Sequence, residues 1–175
     1  MRIWPRVVYE WGTTAGERSE PLPCDRLIPA PAATFHRAVD VNAPAETTFR
    51  WLCQLRAAPY SYDLIDNRGR RSPQQLTPGL EQLEAGQRVM TIFRLAEFEQ
   101  GRSITLTSRT WTFGDVVCTY RVEGRGPDRS RLLARLHVRP NGALRSLALH
   151  TVLGPGDLVM MRRQLLNLAG LAAAV

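Results

Sequence analysis

The sequence predicts an α+β fold, and three features predict it. An alternating run near residue 35 passes directly into a helical repeat. Residues 88–139 form a succession of alternating, β-branched and aromatic runs, and the chain closes on a long helix with one apolar stripe.

Each element follows from its residues. Phe35, Val39 and Val41 alternate against His36, Ala38 and Asp40, which is the period of a strand. Asn42, Pro44 and Glu46 mark a helix start, and Phe49, Leu52 and Cys53 then recur at helical spacing beside Trp51 and Leu55. Pro59, Tyr60, Tyr62 and Asp63 make an aromatic, turn-rich segment. Residues 68–85, with Gly69, Pro73, Pro78 and Gly79, read as a loop holding one helical turn at 80–83. Strands are predicted over 88–95 (Val89, Met90, Ile92, Phe93), 103–109, 110–122 and 131–139, with a GRGPD turn at 124–128 before the last. In that last strand Leu132, Ala134, Leu136 and Val138 face the core, and Arg131, Arg135, His137 and Arg139 face water. Residues 145–153 read either as a strand or as a short helix. From Gly154, Pro155, Gly156 and Asp157 a helix runs to the C-terminus, with Leu158, Met161, Leu165 and Leu168 on one stripe and Arg162 and Arg163 pointing outward.

Residues 1–32 are read as a Pro-rich N-terminal arm and 33–175 as one folded domain. Pro5, Pro21, Pro23, Pro29 and Pro31 exclude a long helix or central strand from the arm, while Trp4, Tyr9 and Trp11 are too apolar for a disordered tail. It is expected to lie extended on the outside of the domain, with one short helix. A length of 175 residues suffices for a sizeable core.

The net charge of +7 comes from 23 arginines and no lysine, scattered along the whole chain. That pattern points to GC-rich codon usage and a solvated surface rather than to a specific nucleic-acid partner. Cys24, Cys53 and Cys118 are too few and too far apart for a disulfide framework. They read as buried thiols in a reducing, cytoplasmic protein. No segment reads as a signal peptide or a membrane span. His36, His137 and His150 lack metal-ligand spacing, so no metal and no cofactor are expected, and motifs for nucleotide binding or hydrolysis are absent.

The order of strand, helix and Tyr60-Ser61-Tyr62-Asp63, with the long helix last, resembles the START-like superfamily, also called SRPBCC or polyketide cyclase-like. The stretch WGTTAGERSEPLPCDRLIPAP is similar to the leader of one bacterial branch of it. The resemblance implies a helix-grip (Bet v 1-like) fold, in which a curved antiparallel sheet wraps around a long C-terminal helix, two short helices follow the first strand, and an apolar cavity is enclosed. Related sequences commonly carry Tyr-Ser-Tyr-Asp followed by Trp, where this chain has Leu64.

On that basis the cavity candidates are Tyr60, Tyr62 and Asp63 at the mouth, Met90, Ile92, Phe93 and Arg94 from one strand, Trp111 and Phe113 from another, and Met160, Met161 and Leu165 from the last helix. Methionines suit a wall that adapts to varied apolar shapes. Two functions fit: binding of a lipid, isoprenoid or polyketide-like molecule, or a cyclase/dehydratase-like reaction in the same cavity. In the second, Tyr60, Tyr62, Asp63 and Arg94 would supply hydrogen bonds and protons. The expected partner is a hydrophobic small molecule, and a homodimer with a second copy is left open.

Overall fold

The protein is described by a computed structural model, which covers residues 4–67, 69–111, 114–142 and 154–175. The segment 145–153 and Phe113 lie outside the described residues.

The N-terminal residues form more structure than their prolines suggest. Three single-turn helices, α1 (Arg6–Tyr9), α2 (Ala15–Ser19) and α3 (Pro23–Leu27), are interleaved with a two-residue strand, β1 (Glu10–Trp11). The expectation of an extended arm with one helix is corrected here. Pro5 precedes α1 and Pro23 opens α3, so each stands where a missing N–H costs no hydrogen bond. Thr14 and Glu17 close a reciprocal capping box on α2.

The sheet contains β2 (Ala33–Val41), β3 (Arg88–Val89), β4 (Phe93–Glu99), β5 (Ser103–Thr110), β6 (Gly114–Gly124) and β7 (Ser130–Arg139) in the order β1-β2-β7-β6-β5-β4-β3. It is curved and open. All neighbouring pairs are antiparallel except β1–β2, which is parallel, so the sheet is mixed rather than purely antiparallel. Between β2 and β3 lie α4 (Ala45–Cys53), continued by a 3-10 turn, and α5 (Asp63–Asp66). The last helix, α6 (Gly154–Ala172), packs on β2 and α4. No described helix is long and apolar enough to cross a membrane.

Register fixes the two faces. Phe35 pairs with Leu136 and Val39 with Leu132, while Cys118 pairs with Leu136 and Tyr120 with Ala134. These residues, with Leu165 and Leu168 of α6, belong to one core between the sheet and the helix. Cys24, Cys53 and Cys118 are free and buried.

The other face of β7 does not meet water. Arg131 (8% exposed), Arg135 (4%) and His137 (5%) lie beneath the N-terminal helices, which corrects the expectation of a solvated Arg-rich face; Arg139 alone of the four is exposed. Arg131 donates to Glu17 at 2.8 Å and to the Gly12 carbonyl at 2.5 Å. Arg135 donates to Asp25 at 2.6 Å and to the carbonyls of Glu17, Arg18 and Glu20. Alternation identifies a face but not what covers it. Here the carboxylates of Glu17 and Asp25, 114 and 110 residues before their arginines in the chain, compensate the charges, so these arginines are unavailable to phosphates. Gly12 permits this approach: its φ is +74°, and a Cβ there would collide with the Ala38 carbonyl of β2, leaving no room for a side chain.

Candidate functional site

The inner face and α6 do not close on each other completely. Between them lies a cavity of about 400 Å³ with a predominantly apolar wall. The strands contribute Val116, Cys118 and Tyr120 of β6 and Leu136 of β7, and α6 contributes Met160 and Met161. Met90 and Ile92 enter from the turn between β3 and β4, and Phe93 from the start of β4. That turn is tight: Met90 (φ 46°) and Thr91 (φ 67°) are both left-handed, and the Met90 N–H is held by the Leu55 carbonyl at 3.1 Å. Left-handed Thr is costly, so its surroundings must impose it.

Five polar side chains, those of Ser61, Asp66, Tyr120, Asp157 and Gln164, interrupt the wall in a fixed arrangement. The Gln164 amide donates to the Pro59 carbonyl at 2.6 Å, which turns its oxygen toward Tyr120, whose hydroxyl donates to it at 2.6 Å. Burial pushes the Tyr120 hydroxyl well above its usual range, so it stays protonated. Asp157, in the first turn of α6, accepts from Arg37 of β2 at 2.6 Å, and Arg37 also donates to the Val8 and His36 carbonyls. Burial raises the Asp157 carboxyl above its ordinary value, with the Arg37 charge opposing. Near Pro59, Asp66 accepts from the Ser61 hydroxyl.

No family model matches the sequence, and no curated protein matches it. Solved structures do. A hypothetical protein from Helicobacter pylori is 14% identical, with 91% of this chain and 98% of that one covered at a TM-score of 0.55. The Zhui aromatase/cyclase from Streptomyces sp. R1128 is 15% identical, with 79% and 92% covered at a TM-score of 0.51. The di-domain aromatase/cyclase BexL from the BE-7585A biosynthetic pathway is 13% identical, with 78% of this chain and 45% of that chain covered at a TM-score of 0.51. The chain has a helix-grip α+β fold, shared with these aromatase/cyclases.

Within this helix-grip frame the sequence-expected residues divide among several places. Met90, Ile92, Phe93, Met160 and Met161 meet at the cavity. Leu165 is fully buried in the core and is not on the cavity surface. Tyr60 and Asp63 line a neighbouring, more polar hollow of about 350 Å³ with Ser72 and Asn167. Tyr60 packs edge-on against Trp51, its hydroxyl has no partner among the described residues, and burial pushes it up to about 12. Burial works against ionisation of Asp63, but hydrogen bonds from the Ser72 N–H and hydroxyl hold its carboxyl below the ordinary value. Asp63 is thus occupied in tying α5 to its following loop. Tyr62 is 39% exposed and lines neither hollow. Arg94 points to the opposite side of the sheet and donates to the Gly86 carbonyl. Trp111, expected on the cavity wall, stands at the β5–β6 hairpin tip and is 83% exposed, because β5 ends at Thr110 instead of running on into a longer strand.

The sequence reading missed Arg37, Tyr120, Asp157 and Gln164. Signals for all four exist. Arg37 shares the inward parity of Phe35 and Val39, and a charge there demands a buried partner. Tyr120 shares the parity of Val116 and Cys118, and Asp157 and Gln164 fall on the stripe of Met161 and Leu168.

Under the N-terminal helices, Cys24, Asp25 and His137 bring a thiol, a carboxylate and an imidazole within 4.8 Å of one another. A metal there would compete with Arg135 and the Leu22 N–H for Asp25, and burial pushes the Cys24 thiol up to about 11. The group is suited instead to pinning α3 to β7.

Proposed function

We propose that this protein binds a small or medium hydrophobic molecule, a lipid, an isoprenoid or a polyketide-like aromatic, in the cavity between the sheet and α6. The observation that carries this reading is the apolar cavity itself, whose few polar side chains each make at least one internal hydrogen bond. Such a site gains affinity by removing apolar surface from water. Its methionines at positions 90, 160 and 161 supply adaptable walls. The three buried free thiols support a reducing, cytoplasmic setting.

A second reading, a cyclase/dehydratase-like reaction, draws support from Asp157. A carboxyl with a raised pKa on a cavity wall suits proton transfer better than Asp63, which its hydrogen bonds keep ionised. The aromatase/cyclases among the structural neighbours agree with it at the level of fold.

Native mass spectrometry of protein purified without added ligand, followed by extraction, tests the first reading. A co-purifying apolar molecule of defined mass is the expected result. A clean mass, together with no fluorescence gain from the neutral probe N-phenylnaphthylamine, overturns it.

A further inference from the structure

We propose that the cavity selects apolar molecules whose head group donates hydrogen bonds, a hydroxyl or an amine, and turns away carboxylates. The inference rests on the binding reading above and names the class of ligand that site takes.

The first observation is charge. The chain has 23 arginines and a net charge of +7, yet among the described residues that line the cavity there is no arginine and there are two carboxylates, Asp66 and Asp157. Arg37 stands behind Asp157. It is 1% exposed, is not on the cavity surface, and spends its two terminal nitrogens on Asp157 and on the Val8 and His36 carbonyls. A ligand anion would therefore meet the carboxylate before the guanidinium. The first turn of a helix ordinarily attracts anions, but in α6 Asp157 already occupies that position.

The second observation is hydrogen-bond polarity. A hydroxyl has one proton, and the Tyr120 proton goes to Gln164, whose orientation is fixed by Pro59. What Tyr120 offers a ligand is a lone pair. Asp157 has one oxygen on Arg37, and its second has no partner among the described residues. One oxygen of Asp66 takes the Ser61 hydroxyl, and its other is buried and unpartnered among the described residues. Tyr120 and Asp157 thus present acceptors, and Asp66 adds a second carboxylate to the wall. A donating head satisfies them, whereas a carboxylate adds a second set of acceptors and a like charge where water is excluded. Sites of this kind discriminate strongly, because the wrong ligand leaves buried groups unpaired.

The test uses four probes with one apolar body: methylnaphthalene, naphthylmethanol, naphthylmethylamine and naphthoate. Each displaces N-phenylnaphthylamine from the wild-type protein. Naphthylmethanol or naphthylmethylamine is expected to bind about tenfold or more tightly than methylnaphthalene, and naphthoate more weakly than methylnaphthalene. Tyr120→Phe is expected to erase most of the naphthylmethanol advantage while methylnaphthalene affinity holds. Equal binding of all four overturns the selectivity and leaves the binding reading standing, and so does tighter binding of naphthoate. Failure of every probe and of the fluorophore overturns the binding reading itself. The wild-type series decides the matter even where the variant does not fold.

Discussion

Arg37 and Asp157, 120 positions apart, meet in the core at 2.6 Å and join the second strand to the first turn of the last helix. Both are nearly inaccessible, the side chains being 1% and 7% exposed. Removing one partner strands the other charge. Arg37→Met or Asp157→Leu alone is expected to cost about 3–5 kcal/mol in urea unfolding. The double variant is expected to recover much of that loss, since an apolar pair needs no partner. A double variant as unstable as either single would show that the pair does more than neutralise itself.

Filling the cavity separates space from fold. Met160 lines the cavity and makes no polar contact there among the described residues. Met160→Trp is expected to cut uptake of an apolar fluorophore by about tenfold or more. The melting temperature is expected to move by no more than about 3 °C. Unchanged uptake would place binding elsewhere.

His36 gives stability a pH dependence with a definite sign. Burial first, and the nearby Arg135 charge second, lower its imidazole from 6.5 to about 4. As pH falls below about 6.5 the unfolded chain takes up this proton, and the folded chain does not until about 4. The contribution of neutral His36 is therefore complete above that window and lost as pH falls through it. Urea midpoints are expected to drop between about pH 7 and about pH 5. His36→Gln is expected to flatten part of that slope, and His137, also lowered chiefly by burial, contributes with the same sign. An unchanged slope in the variant would refute the assignment to His36.

Gly12 sets the N-terminal segment close against β2. Its φ of +74° disfavours any side chain, and a Cβ would collide with the Ala38 carbonyl. Gly12→Ala is expected to cost roughly 3 kcal/mol in a urea titration. Gly79→Ala, also at positive φ but with open space around it, serves as the control for backbone strain alone. Equal losses in the two would mean that the collision contributes nothing.

Periodicity read the fold well where one face is apolar. The alternation of Leu132, Ala134, Leu136 and Val138, and the stripe of Leu165 and Leu168, were visible because their partners are all apolar. It failed where partners are distant in sequence. Nothing near Arg131 or Arg135 announces Glu17 or Asp25, and nothing near Tyr120 announces Gln164, 44 residues on. Trp111 misled because an aromatic beside β-branched residues reads as strand, while the chain turns there. Of the cavity, the methionines were legible as soft apolar groups, and its polar fittings were not, since Asp157 reads locally as a helix-start residue.

The two-residue strands at both ends of the sheet have a consequence for behaviour at high concentration. On one flank Glu10 and Trp11 pair with His36 and Arg37, and on the other Arg88 and Val89 pair with Arg94 and Phe93. Each leaves only a stub of unpaired backbone, and beyond Arg88 the rim of β4 carries Glu97 and Glu99, ion-paired with Arg26 and Arg102. A neighbouring molecule that tried to add its own strand would find either too short a template or a rim of charged, ion-paired side chains. The short terminal strands thus act as end-stops against sheet-to-sheet polymerisation.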